Sequence, residues 1–186
     1  MTTTEIPGYV AGTWTMDPVH SDISFTVRHM MVSKVRGRFT TATATIVTAA
    51  NPLESSVTAQ IDLGSIDTRN EQRDGHIRSA DFFEVEKYPA MTYRSTGVRA
   101  DGDGFVVSGE LSLHGVIRPV DLAVEVNGFT ADPYGGTRAG FSATTKIRRS
   151  DFGITITMPM DGGGVVVGDE ITVSLEIEAV LDPAAA

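Results

Sequence analysis

A period of two in side-chain polarity is the feature of this sequence that most limits its fold. Between Ile23 and Arg28, every second residue is apolar and the residues between them are Ser, Thr and Arg. Successive side chains of a β-strand point to opposite faces, so this alternation predicts strands with one buried face. The predicted strands are 23–28, 35–47, 57–62, 90–98, 105–113, 116–126, 137–147 and 170–180.

Turn residues separate these segments. The strings DGDG (101–104) and DPYGG (132–136) predict hairpin turns, because Gly and Asp tolerate positive φ. Residues 114–115 predict a short turn, and residues 161–164 a flexible loop. The alternation is lost at 68–85 and at 30–34, where we predict one or two short helical segments.

About eight strands and few helical residues predict an all-β fold, either a sandwich or a closed antiparallel barrel. A barrel of eight strands has no exposed edges and can hold one small ligand. The 186 residues fit one domain, which we place at 13–182. Residues 1–12 are then an N-terminal extension, and residues 183–186 a disordered tail.

Charge and composition argue against several classes of function. The formal net charge of −9 disfavours nucleic acid and membrane surfaces, although a local basic patch could override this average. The chain has no cysteine, its four histidines lack metal-site spacing, and no cofactor motif is present. No apolar stretch has the length of a membrane-spanning helix, and the N-terminal residues do not form a signal peptide. We therefore expect a cytoplasmic protein without stable membrane insertion.

Several strings, in one order along the chain, closely resemble the YceI-like family. They are WTMDPVHS (14–21), ISFTVRHM (23–30), GRF (37–39), SIDTRN (65–70), RDGHI (73–77), DFF (81–83), YP (88–89), GELSLHGV (109–116) and RSDFGI (149–154). The resemblance extends over residues 14–181. It implies an extended, lipocalin-like, eight-stranded antiparallel barrel whose tunnel binds amphiphiles with long isoprenoid chains.

A lipid tunnel needs a continuous apolar lining, because each buried CH₂ group contributes about 0.8 kcal/mol. Inward-facing positions supply the candidate lining, although such residues are also ordinary core residues in most barrels. The candidates on predicted strands are Phe25, Val27, Phe39, Ile61, Met91, Tyr93, Leu111, Leu113, Leu122, Phe141, Val173 and Leu175. The candidates near a mouth are Met30, Phe82, Phe83 and Met158.

Polar residues at three places allow a chemical or a structural interpretation. His29 shares the phase of Phe25 and could bond a ligand head group from inside the barrel, but a hydrogen-bonded core histidine is the favoured interpretation. Asp17, His20 and His29 could form a metal site, but a turn at Asp17-Pro18 is the favoured interpretation. Arginines at 69–78 could bind a diphosphate, whereas a salt-bridged helix face explains them more simply.

The leading functional hypothesis is a non-catalytic carrier of a long-chain isoprenoid or similar lipid, such as a prenyl quinone or a prenyl diphosphate. One alternative is an enzyme that acts on a hydrophobic substrate with His20 or His29 as general base. Another is a stress-related interaction protein whose barrel is filled by side chains. The partners expected for the carrier are the lipid and, in a homodimer, a second copy of the chain.

Overall fold

Eleven β-strands and one α-helix make up residues 5–158 and 166–183, the part of the chain that the computed structural model describes. The strands are β1 (Gly12–Met16), β2 (Asp22–His29), β3 (Ser33–Phe39), β4 (Ala42–Thr48), β5 (Ser56–Asp62), β6 (Ile66–Asp67), β7 (Ala90–Asp101), β8 (Gly104–Leu113), β9 (Val116–Ala131), β10 (Thr137–Arg148) and β11 (Val167–Leu181). Helix α1 is Glu71–Arg78, and 3₁₀ turns occur at Pro52–Glu54, Leu63–Ser65 and Arg149–Phe152. No helix in these residues is long and apolar enough to cross a membrane.

Eight of the strands close into an antiparallel barrel in the order β1-β4-β5-β7-β8-β9-β10-β11. The ring closes where β1 pairs with β11, with Trp14 opposite Leu181 and Met16 opposite Ala179. This closure confirms the predicted eight-stranded barrel and excludes the sandwich.

The wall extends beyond this ring on one side. Strand β11 pairs first with β2 and then, nearer its C-terminal end, with β1. Strand β3 pairs with β2, and the short β6 pairs with β3. Helix α1 follows β6 and lies at this extended end of the barrel.

The predicted strand 35–47 is in fact two strands, β3 and β4, with a break at residues 40–41. The chain changes partner there, because β3 pairs with β2 whereas β4 pairs with β1 and β5. The short β1 and β6 were not among the predicted strands. The other predicted strands are present, most of them longer than predicted.

The two predicted helical segments have different outcomes. Helix α1 lies within 68–85, and the side chain of its N-cap residue, Asn70, accepts a hydrogen bond from Arg73 N. The prediction at 30–34 is wrong, because these residues form the β2–β3 hairpin turn and the start of β3. Met30 and Met31 adopt φ of 51° and 62° in that turn. Residues 161–164 and 184–186 lie outside the described residues.

Hydrogen bonds of Asp17 and Arg138 link the junction of β1 and β2 to the neighbouring strands. Asp17 Oδ1 accepts a hydrogen bond from Val19 N (2.9 Å), as the predicted turn requires, and Oδ2 lies 2.8 Å from His20 Nδ1. Arg138 Nη1 donates to Asp17 (2.7 Å) and to Glu178 (2.8 Å). The guanidinium thus lies between the two carboxylates and cross-links β10, β11 and the turn.

This cluster makes the stability of the barrel depend on acidity. The hydrogen bonds from His20 and Arg138 hold the pKa of Asp17 well below its ordinary value of 3.8. A group whose pKa is lower in the folded state stabilises the fold above its unfolded pKa and loses this contribution as pH falls toward the folded pKa. We therefore expect Asp17→Asn to be less stable at neutral pH, by a difference that shrinks below about pH 4. Urea unfolding of both proteins across pH measures this, and a difference that grows on acidification would contradict it.

Candidate ligand-binding cavity

The interior of the barrel is hollow along its length. Three adjoining cavities have volumes of about 150, 190 and 490 Å³. We call them the N-terminal cavity, beside Ile6 and Tyr9, the central cavity, and the helix cavity, beside α1. The first two share the lining residues Ile46, Val57, Leu122, Leu175 and Ile177. The central and helix cavities share Phe25, Phe83 and Ile171, so the three cavities adjoin one another along the interior.

Small or short inward-facing side chains leave this space open. Ala44 and Ala59 are cross-strand partners, and both face the central cavity. Leu122 on β9 and Leu175 on β11 both face the interior, yet both are only partly buried. A filled barrel would bury such side chains almost completely, because protein interiors are closely packed. The incomplete burial therefore reflects empty space at the barrel axis.

The wall itself satisfies the polar groups that reach the central and N-terminal cavities. Tyr93 Oη donates to Val120 O (2.9 Å), and burial raises the pKa of Tyr93 to about 12. Its ring lies against Gly109, where a Cβ would come within 2.4 Å of the ring. In the N-terminal cavity, Tyr9 Oη donates to Ala49 O (2.6 Å). These cavities therefore offer a ligand an apolar surface with few directional contacts.

The helix cavity, in contrast, has a polar and cationic lining. Its polar lining residues are Arg28, His29, Asn70, Gln72, Arg73, His76 and Arg149. Arg73 is held in place by hydrogen bonds from Nε to Thr68 Oγ1 (2.8 Å) and from Nη2 to Thr68 O. His29 enters from the end of β2, on the same inward phase as Phe25.

Arg149 is the most buried cation at this cavity, with 5% of its surface exposed. Its guanidinium donates to three carbonyl oxygens, those of Gly168 (3.0 Å), Ile154 (2.9 Å) and Val167 (3.1 Å). Within the described parts of the chain, it forms no ion pair with a carboxylate. Carbonyl groups satisfy its hydrogen bonds but leave its charge in place, so this end of the interior contains a buried positive charge.

The structure brings almost all the predicted lining residues to this interior. The central cavity is lined by Phe25, Phe39, Ile61, Phe83, Met91, Tyr93, Leu111, Leu113, Leu122, Val173 and Leu175. Val27, His29, Phe82 and Met158 line the helix cavity, and Phe141 the N-terminal cavity. Met30 is outside these linings, on the exposed hairpin turn. That the lining residues bind a ligand stays a prediction.

The structure distinguishes between the chemical and the structural interpretations of the polar residues. His29 lies at the far end of β2 from Asp17 and His20, roughly 20 Å along the strand, so the three cannot share a metal ion. Within 69–78, Arg78 bonds Glu71 (3.2 Å) and the Gly64 carbonyl (3.0 Å), as a salt-bridged helix face would. Only Arg73 of the arginines in that stretch lines the cavity.

Sequence reasoning missed two parts of the lining. Ile6 and Tyr9 close the N-terminal cavity, although the first twelve residues carry no strand pattern. Arg149 is not among the predicted site residues, although it begins the string RSDFGI (149–154). Its position two residues beyond the predicted strand 137–147 was the available signal, since residues at strand ends lie near the barrel mouth.

The fold and its interior define a class: a closed antiparallel barrel around an elongated apolar cavity with one polar, cationic end. Such sites suit a ligand with a long apolar tail and a polar head.

Comparison with known proteins gives the family. Residues 14–179 match the YceI-like domain, and a YceI protein of Escherichia coli is 40% identical over 136 residues, 73% of this chain and 71% of that protein. The chain belongs to the YceI-like family. A Campylobacter jejuni YceI structure is 30% identical over 84% of this chain and 90% of its own, with a TM-score of 0.72. A Saccharophagus degradans structure described as a polyisoprenoid binding domain has a TM-score of 0.68 at 19% identity, over 93% of this chain and all of that one.

Proposed function

We propose that this protein is a non-catalytic carrier that holds a long-chain isoprenoid or a similar amphiphilic lipid inside its barrel. The adjoining apolar cavities along the barrel interior are the observation that carries the proposal. The Saccharophagus degradans neighbour, described as a polyisoprenoid binding domain, supports the same class of ligand. The hollow interior argues against the alternative of a barrel filled by its own side chains.

Apolar burial supplies the affinity in this proposal. A tail that loses its contact with water gains about 0.8 kcal/mol per CH₂ group, with no need for directional bonds. The walls leave almost no polar group unsatisfied toward the tail, so its insertion requires little desolvation of the protein. Long tails are therefore favoured over short ones.

The head group is proposed to lie in the helix cavity. Arg73, Arg149 and His29 give that cavity its cationic and hydrogen-bonding character. This favours a head group that accepts hydrogen bonds, such as a prenyl diphosphate or a prenyl quinone, with the tail directed toward Tyr9.

A catalytic role has less support from the geometry. His20, one of the two candidate bases, lies on the outside of the barrel, bonded to Asp17 and mostly exposed. His29 does line the helix cavity, where the proposal gives it a hydrogen-bonding role. The cytoplasmic location and the homodimer stay predictions.

Native mass spectrometry and lipid extraction test the carrier. Protein purified without detergent should carry a stoichiometric apolar molecule, which an organic extract releases for identification. Apoprotein should then take up isoprenoids with an affinity that rises with chain length, by roughly four-fold per added CH₂ group. Protein that is repeatedly empty and shows no dependence on chain length would overturn the proposal.

A further inference from the structure

The tip of the β2–β3 hairpin exposes three consecutive apolar residues. Met30, Met31 and Val32 are 41%, 50% and 86% exposed. The tip adjoins the helix cavity, because His29 precedes it and lines that cavity, and Met30 N donates to Val166 O (2.7 Å) beside it. Apolar side chains at the end of a protruding hairpin are unfavourable in water unless something covers them.

A basic face lies directly behind this tip. Lys34, Arg36 and Arg38 on β3 are exposed on the outer side of the hairpin. Arg28 on β2, which also borders the helix cavity, is exposed beside them. We call these four residues the basic face. The sequence has no Asp or Glu between residues 22 and 54, although the chain contains 24 of them.

Charges on the basic face are unfavourable for the isolated protein. Arg28 and Lys34 are direct cross-strand partners, and like charges in this position destabilise a sheet. Among the described residues, only Arg38 of the four forms an ion pair, with Asp67 at 3.5 Å.

The neighbouring carboxylates on β11 have other partners. Asp169 accepts hydrogen bonds from Ser150 N (2.9 Å) and Ser150 Oγ (2.7 Å), and Glu170 lies 3.6 Å from Lys146. The positive charge of the face is thus left for a partner outside the barrel.

We propose that the hairpin tip and the basic face dock on an anionic lipid bilayer, with the apolar tip entering the interface. Each Lys or Arg close to such a surface strengthens binding about fivefold. The acidic remainder of the chain is repelled by the same surface, so the molecule is oriented with this hairpin toward the lipid. This orientation places the helix cavity at the membrane, where a lipid could enter or leave the barrel; that consequence rests on the proposed carrier function.

Vesicle co-sedimentation of the full chain tests the proposal. We expect binding to vesicles of phosphatidylcholine mixed with phosphatidylglycerol, and little binding to phosphatidylcholine alone or at high salt. Replacing two charges in Lys34→Gln/Arg36→Gln should weaken binding about thirtyfold. A matched control, Arg94→Gln/Arg99→Gln, removes two charges from the outer face of β7, where each pairs with a carboxylate. This control should bind like the parent protein.

The tip has its own test on the same vesicles. Met31→Asn/Val32→Ser keeps all charges and places a residue that tolerates positive φ at position 31. It should bind about tenfold more weakly, whereas Tyr134→Ser, at another exposed turn, should have no effect. Equal binding by the parent and by both hairpin variants would overturn the proposal, as would failure of the parent to bind anionic vesicles.

Ligand uptake from detergent micelles separates this proposal from the carrier function. Hairpin variants that take up isoprenoid from micelles normally but lose it from anionic vesicles would support docking. Normal uptake by the parent from micelles, without vesicle binding, would overturn the docking proposal but not the proposed carrier function. If the parent takes up no isoprenoid from micelles but still binds vesicles, the carrier proposal would be overturned and the docking proposal would not.

Discussion

The variant Ala59→Phe is expected to lose about a hundredfold in affinity for long isoprenoid chains while keeping its fold. Ala59 faces the central cavity, opposite Ala44 on β4 and beside Tyr93 on β7. A phenylalanine ring at this position enters the empty space near the barrel axis and divides the interior. A tail that can no longer pass loses burial of all the groups beyond the block. Exclusion of only four CH₂ groups costs about 3 kcal/mol, which corresponds to a factor of a hundred or more.

The dependence on chain length makes this result specific. Short isoprenoids, which occupy only one side of the block, should bind Ala59→Phe nearly as well as they bind the parent protein. The matched control is Thr58→Phe, which places the same side chain on the outer surface of β5. Titration of an isoprenoid series by calorimetry measures both variants, with circular dichroism as the test of folding. Equal loss for short and long chains would mean that the ring disturbs the wall instead of blocking a tunnel.

Trp14→Ala is expected to reduce the free energy of unfolding by about 4 kcal/mol. Trp14 is fully buried on β1, the strand that closes the ring between β4 and β11. Its indole packs edge-on to Phe129, with 5.4 Å between ring centroids, and its Nε1 donates to Thr48 Oγ1 (2.8 Å). The truncation therefore leaves a cavity and removes a buried hydrogen bond at the seam of the barrel.

Two further variants test this explanation of the seam. Trp14→Phe keeps most of the packing and should lose only about 1–2 kcal/mol, mainly from the hydrogen bond. Tyr134→Ala, at an 88% exposed turn residue, should unfold like the parent protein. Urea unfolding followed by circular dichroism gives all three values without relying on the indole, which is the single tryptophan of the chain. A loss below 1 kcal/mol for Trp14→Ala would show that the ring does not depend on this contact.

The alternation of apolar and polar residues predicted the strands and the inward face of nearly every lining position. Side-chain direction in a strand follows from the backbone, so Phe25 and Leu175 could be assigned to the interior from local sequence alone. The hairpin at residues 30–32 was mispredicted, because pairing of β2 with β3 decides its conformation and this pairing is not local. The break at residues 40–41 was missed for the same reason, since it marks a change of partner strand.

The sequence by itself determined an all-β chain with a continuous set of apolar inward positions, because strand periodicity is a property of neighbouring residues. Only the tertiary structure decided that the eight strands close, that the space inside stays empty, and that Arg149 and Arg73 meet His29 at one end. Closure and emptiness depend on the distance between residues far apart in the chain, such as Trp14 and Leu181 or Leu122 and Leu175. No local pattern carries such distances, so only the folded barrel distinguishes a hollow interior from a packed core.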